Sequence, residues 1–487
     1  MAGSSGLASI EHIVVLMLEN RSFDHMLGYL YTDAGNQTPS GQAYEGLTGK
    51  ETNPDSGGSP VPVFQITQST ANAYFMPGAD PGEGYKATND QLWGSDTAPA
   101  SGTAATSQGF VKDYAYTLGW EQSEGGWSIV SGTTANDIMG CYAPEALPVL
   151  SALAKGYAVC DYWYASAPTE TLPNRAFLNA GTSQGHMDDD TKTYTCPTIY
   201  GSLTTANVSW KIYGYDAEPL TKSDFPDLSS APAANFGLFT DFQSDAKAGS
   251  LPSYAFLEPS WGSSGNSQHP NYDVALGEQL IYDTYEALRS GPDWDSTLFV
   301  LTYDEHGGCY DHVAPPWGAT PPDTTAGEYG FGFDRFGVRV PALLISPLIA
   351  EGTVYRVPAG SVPLDHTSVL KTIEQRWNIP ALTKRDAAAP GFGDVITLTT
   401  PRTDDVLSGV TVPTSGGQSP SYGKLSKLEG IREELIEKYS PYPRPPVPAP
   451  PVASGKPEQA AGGKPEPEEP AKPKKSRSLR KPLRRKR

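Results

Sequence analysis

The apolar, partly β-branched run Ile13-Val14-Val15-Leu16-Met17 stops abruptly at Leu18-Glu19-Asn20-Arg21-Ser22-Phe23-Asp24-His25. A run this short and this apolar reads as a strand buried on both faces of a parallel sheet. In open α/β sheets, ligands bind beyond the carboxyl ends of the strands. Glu19 and Asn20 stand at such an end and offer oxygen ligands to a metal ion. Taken alone, the octet reads more plainly as a helix start with Asn20 or Ser22 as N-cap. A second strand end tips the balance: residues 296–303, rich in β-branched and aromatic side chains, run into Asp304-Glu305-His306-Gly307-Gly308-Cys309-Tyr310-Asp311-His312-Val313.

Strands are also expected at 157–164, 254–259 and 338–347. Helices are expected at 143–155, with Pro144 near N1, at 274–288 and from Asp365-His366 through Trp377. Strands alternating with helices imply an α/β fold, an α/β/α sandwich around a mainly parallel sheet. Between them, Ser166-Ala167-Pro168-Thr169-Glu170-Thr171-Leu172-Pro173-Asn174-Arg175 reads as a hydroxyl-rich turn with Pro173 opening a helix. A hydroxyl there stands beside a helix N-terminus that favours an anion. The plainer reading makes Thr171 an N-cap. The 50 glycines and 45 prolines imply many loops. Loop-rich insertions are expected at about 31–107 and 188–250 within a catalytic domain of residues 1–439. Residues 440–487 are Pro-rich and then basic, and read as a disordered tail that cannot bury a core.

Charge narrows the function. Residues 472–487 hold ten of the 36 basic residues and no acid, so the remainder carries 26 basic against 55 acidic, a net of −29. Such a body is a poor general nucleic-acid binder. No signal peptide is evident, since the run after Ile13 is broken at once by Glu19. No stretch is long enough to span a membrane. A cytoplasmic location, or export by a route without a signal peptide, is expected. The four cysteines lack metal-ligand spacing and read as buried small residues.

Of seven histidines, His269, His306, His312 and His366 lie in or beside polar clusters at expected strand ends. Together with two acidic clusters they suggest metal-assisted or general acid/base chemistry. The ordered set Glu19-Asn20-Arg21-Ser22-Phe23-Asp24-His25, Thr171-Leu172-Pro173-Asn174-Arg175, His269-Pro270, Asp304-Glu305-His306-Gly307-Gly308, Asp311-His312-Val313 and Asp365-His366-Thr367-Ser368-Val369-Leu370 resembles a phosphoesterase family. That family contains bacterial and plant non-specific phospholipases C and a bacterial respiratory-burst-inhibiting acid phosphatase, on an alkaline-phosphatase-like fold. The resemblance runs from about residue 10 to 390.

The resemblance implies a hydrolase of phosphoric esters. It makes Glu19 and Asn20 one pair of metal ligands and Asp304 and Glu305 the other, around one divalent ion: Ca, Mg, Mn or Zn. It makes Thr171 the attacking hydroxyl and a further metal ligand. It puts His269, His312 and His366 on the phosphate and leaving-group side; Arg175, Glu83 and His306 are expected on the substrate. Glu83 is a departure, because many members carry histidine there. Thr169 and Ser166 are rival hydroxyls. Phosphatidylcholine-type diesters are the expected substrates, with phosphomonoesters the alternative. A non-catalytic surface-binding protein on the same fold is a further alternative that an intact ligand set disfavours. The basic tail could touch anionic lipid at about 1 kcal/mol per residue. No Cys/Ser-x-Pro-x-Arg motif points to a sulfatase.

Overall fold

A computed structural model describes residues 6–124, 129–190, 193–262 and 264–416. The expected tail from residue 440 lies outside the described residues. Among those described, a sheet of eight strands forms the centre, with strands in the order 353–354, 158–159, 342–345, 297–303, 12–18, 254–258, 210–214 and 236–238. All neighbours are parallel except the pairs made by Ala342–Ile345, which runs against both its partners. The sheet is therefore mainly parallel, as the alternation of strands and helices implies.

The central strand His12–Leu18 is buried from Ile13 onward. Its other neighbour, Thr297–Tyr303, is buried throughout. Burial on both faces explains why these runs are continuously apolar rather than alternating. Their register pairs Leu18 with Tyr303. The next residues, Glu19-Asn20 and Asp304-Glu305, therefore leave the sheet side by side.

Several expected elements differ. Residues 157–164 do not form one strand: Ala158–Val159 joins the main sheet, while Trp163–Tyr164 pairs with Leu364–Asp365 in a separate ribbon. The break holds Asp161, whose carboxylate accepts from Arg356 Nε and the Glu45 N–H and whose carbonyl accepts from Arg339. Of residues 338–347 only Ala342–Ile345 is strand. The helix expected to start at Pro144 runs Pro148–Gly156, with Pro148 in the first turn. The Glu278 carboxylate accepts from Val149 N and Leu150 N at 2.8 and 3.1 Å, capping N–H groups that no helical carbonyl can reach. Residues 188–250 hold more than short strands and turns. They supply the strands Trp210–Gly214 and Phe236–Leu238 to the main sheet, and the helix Phe239–Ala248. All four cysteines are buried and free.

Candidate active site

The two central strand ends meet at Asp304. The backbone N–H groups of Asn20 and Glu305 donate to its Oδ1 at 2.9 and 2.7 Å. Arg175 Nε donates to Oδ2 at 3.0 Å. Arg175 projects from the helix Thr171–Ala180, donates also to the carbonyls of Met17 and Leu18, and lies 4.4 Å over the Trp261 ring. One guanidinium thus ties helix and strands together, and most of its donors are engaged there.

Asn20 has a φ of +56°, a left-handed conformation that asparagine adopts more readily than most residues. The turn sends its amide across the strand end. Thr171 Oγ1 donates to Asn20 Oδ1 at 2.9 Å, and Asn20 Nδ2 donates to Glu83 Oε2. Thr171 is the first helical residue and Glu170 the N-cap, so Thr171 is not the cap and Pro173 does not open the helix. The helix N-terminus already holds an anion, because Leu172 N–H donates to Asp189 Oδ1 at 2.7 Å. The neighbouring hydroxyls are committed elsewhere: Thr169 donates to the Met187 carbonyl and Ser166 to Asp365 Oδ2.

The histidines divide. His366 sits under the cluster, with Nε2 2.6 Å from the Asp304 carbonyl and Nδ1 accepting from Trp163 Nε1. Those partners assign the proton to Nε2, and burial lowers its pKa, so it is neutral. His306 is enclosed, with Nε2 on Gln91 Oε1 and Nδ1 3.2 Å from Glu305; burial drives it down to about 3. His269 opposes Asp80 at 3.6 Å. Burial works against its charge, but Asp80 and Glu19 hold its pKa raised. His312 goes elsewhere: Nδ1 is 2.6 Å from Asp24 Oδ2 and Nε2 is 3.5 Å from Glu45, beside Arg339, which also bridges Asp24 and Asp311. Burial again opposes the charge, yet the hydrogen bond and charge of Asp24 raise His312 to about 9. None of these His312 partners touches Thr171, Asn20 or Asp304.

The donor set fits a cation in one respect. Glu19 Oε2 and Glu305 Oε1 are buried without a hydrogen-bond partner, on residues 3% and 0% exposed. Burial pushes Glu19 up to about 7 and Glu305 well above the carboxylate range, with Asp304 adding to both. Carboxyl groups enclosed this way take up either a proton or a cation. In another respect the fit is loose. Among the described residues, the side-chain groups close enough to share an ion are Asp24, Asp311 and His312; Asp80, Glu83 and His269; and Glu83, Glu170 and Asp189. Glu19, Asp304 and Glu305 are not such a group. Glu83 belongs to two of them, and burial together with Asp80 and Glu305 pushes its pKa well up.

Asp80, Gln91, Glu170, Asp189 and Arg339 were not singled out from sequence. Glu170 abuts Thr171, so its place beside the hydroxyl was readable. Asp189 and Arg339 reach their partners only through the fold.

The model of the Phosphoesterase family matches residues 10–380. "Non-specific phospholipase C6" of Arabidopsis thaliana is 38% identical over 415 residues, 81% of this chain and 74% of its own length. "Phospholipase C B" of Mycobacterium tuberculosis is 29% identical over 77% of this chain and 74% of its own. Among solved structures, an alkaline phosphatase superfamily protein from Vibrio parahaemolyticus overlaps 50% of this chain and 64% of its own, at 14% identity and a TM-score of 0.30. That overlap is too slight to bear on the site. The family match spans both strand ends and the Thr171 helix, and the chain belongs to the phosphoesterase family, as a hydrolase acting on phosphoric esters.

Proposed function

We propose that this chain is a phospholipase C-like enzyme that cleaves phosphatidylcholine-type diesters through a covalent phospho-threonine. The observation that carries the reading is the Thr171 hydroxyl held on Asn20 at the strand ends, while Thr169 and Ser166 donate elsewhere. The names of the plant and bacterial relatives support the substrate class. Glu19, Asn20, Asp304 and Glu305 would hold one divalent cation, with Thr171 beside it. When bound, that ion supplies positive charge that lowers the hydroxyl pKa and offsets charge on the phosphoryl oxygens. Oxygen-only ligation suits Ca, Mg or Mn, and Zn accepts it as well.

Thr171 Oγ1 gives up its proton to solvent and bonds to phosphorus as the bond from phosphorus to the diacylglycerol oxygen breaks. His269 faces Glu19 and Asp80, which hold its pKa raised against burial, and in this reading it protonates that oxygen. Water then releases phosphocholine from Thr171. His366 and Arg175 position Asp304, while Glu83 holds the Asn20 amide so that its oxygen faces Thr171. His306 donates its Nε2–H to Gln91 Oε1 and packs beside Glu305, keeping Gln91 in place. The basic end of the chain is proposed to add salt-sensitive attraction to anionic lipid.

Phosphatidylcholine and an aryl phosphate monoester, assayed side by side with and without chelator, test the reading. Chelator-sensitive turnover of phosphatidylcholine supports it. Turnover of the monoester alone would replace it with an acid-phosphatase-like activity.

A further inference from the structure

The helix Phe110–Glu124 divides its side chains between two tasks. Its inner side grips the loop that carries Glu83. Gln91 Nε2 donates to both Asp113 Oδ2 and the Gly82 carbonyl, at 2.8 and 2.6 Å, while Gln91 Oε1 pairs with His306. The Glu121 carboxylate accepts from the backbone N–H of Asp80. Both acids are turned inward, and burial raises Asp113 to about 7 and Glu121 to about 8.

The outer side is different. Lys112, Tyr116 and Trp120 recur every four residues and so share one face. Tyr116 is 75% exposed and Trp120 45%. Between Phe110 and Ser123 no acid is exposed, in a body whose net charge is −29. Tyrosine and tryptophan, with an apolar ring and a polar tip, gather at the boundary between lipid and water. A face whose exposed residues from Phe110 to Ser123 include Lys112 and no acid is also not repelled by a layer of phosphates.

We propose that the Lys112–Tyr116–Trp120 face seats the protein on a phospholipid surface, with the two rings entering the headgroup layer beside the loop that holds Glu83. This rests on the phospholipase reading, since a lipid substrate lies in such a surface. The inner grip on residues 80–83 and the outer rings belong to one rigid helix. Docking therefore holds the loop next to Asn20 in a fixed relation to the lipid.

The full chain and its Tyr116→Ser/Trp120→Ser variant are tested with phosphatidylcholine vesicles in 0.5 M NaCl, which screens attraction by the basic tail. Vesicle sedimentation and vesicle hydrolysis should each fall about tenfold, equivalent to ~1.4 kcal/mol. Turnover of a water-soluble phosphocholine ester should stay unchanged, and the variant should still melt in one cooperative transition. Equal sedimentation of the two proteins overturns the proposal, as does a wild type that does not sediment. A parallel loss of soluble-ester turnover also overturns it, because the helix would then act through the loop. If the wild type sediments without hydrolysing phosphatidylcholine, and the variant does not sediment, the phospholipase reading fails while the docking face stands.

Discussion

Thr171 Oγ1 and Asn20 Oδ1 lie 2.9 Å apart, although 151 residues separate them in the chain. The bond exists because Asn20 turns left-handed at the end of its strand and Thr171 begins a helix tied to that strand by Arg175. It singles out one hydroxyl among three. Thr171→Ala should lower turnover at least about 10³-fold with little change in melting temperature. Thr169→Ala should keep activity and lose about 1 kcal/mol with its bond to the Met187 carbonyl. A folded Thr171→Ala protein that turns over normally would move the nucleophile elsewhere.

Glu83 and Asn20 share a hydrogen bond that fixes which way the amide points. Glu83→Gln retains an acceptor and should keep most activity. Glu83→Ala frees the amide to rotate and should lower kcat about tenfold or more. Equal kcat values for the two variants would show that Glu83 does not orient Asn20.

Removal of divalent metal should abolish turnover and destabilise the fold. A cation at 100 times its Kd adds about 2.7 kcal/mol to the stability of the state that binds it. Calorimetry with and without chelator, alongside elemental analysis, measures this. A protein without metal whose activity ignores chelator would remove the ion from Glu19 and Glu305.

His312 should act as a pH-dependent tie rather than as part of the Thr171 cluster. Its pKa is raised from 6.5 to about 9 by Asp24. A raised folded-state pKa stabilises fully below about pH 6.5, and the contribution is lost as pH rises through 9. The contribution is at most on the order of 3 kcal/mol. The gap in Tm between wild type and His312→Gln should therefore be largest near pH 6 and close above about pH 9. A gap independent of pH would mean that His312 is not held as a cation.

Truncation after Tyr439 should leave soluble-ester turnover intact and weaken sedimentation with anionic vesicles at low salt. Ten positive charges at the chain end, against a net of −29 elsewhere, make that attraction electrostatic. Equal sedimentation of full-length and truncated protein would refute it.

Residue chemistry was readable wherever it depends only on neighbours along the chain. The unbroken apolar runs before Glu19 and Asp304 identified buried parallel strands, because burial on both faces leaves no alternation to misread. Their polar ends marked the candidate site. The boundaries were less legible where a distant group decided them: the Glu278 carboxylate moved the helix start from Pro144 to Pro148, and Asp161 split residues 157–164. Tertiary structure alone decided three further things. The pairing of Leu18 with Tyr303 set the two acidic ends side by side. The hydroxyl partners followed: Thr171, which the resemblance already favours, donates to Asn20, while Thr169 and Ser166 donate elsewhere. Arg339 and Asp24 drew His312 into a separate network although it lies only eight residues after Asp304. A side chain's partners depend on register and on the directions in which helices meet the sheet. Those are properties of packing between segments hundreds of residues apart, and no local pattern carries them.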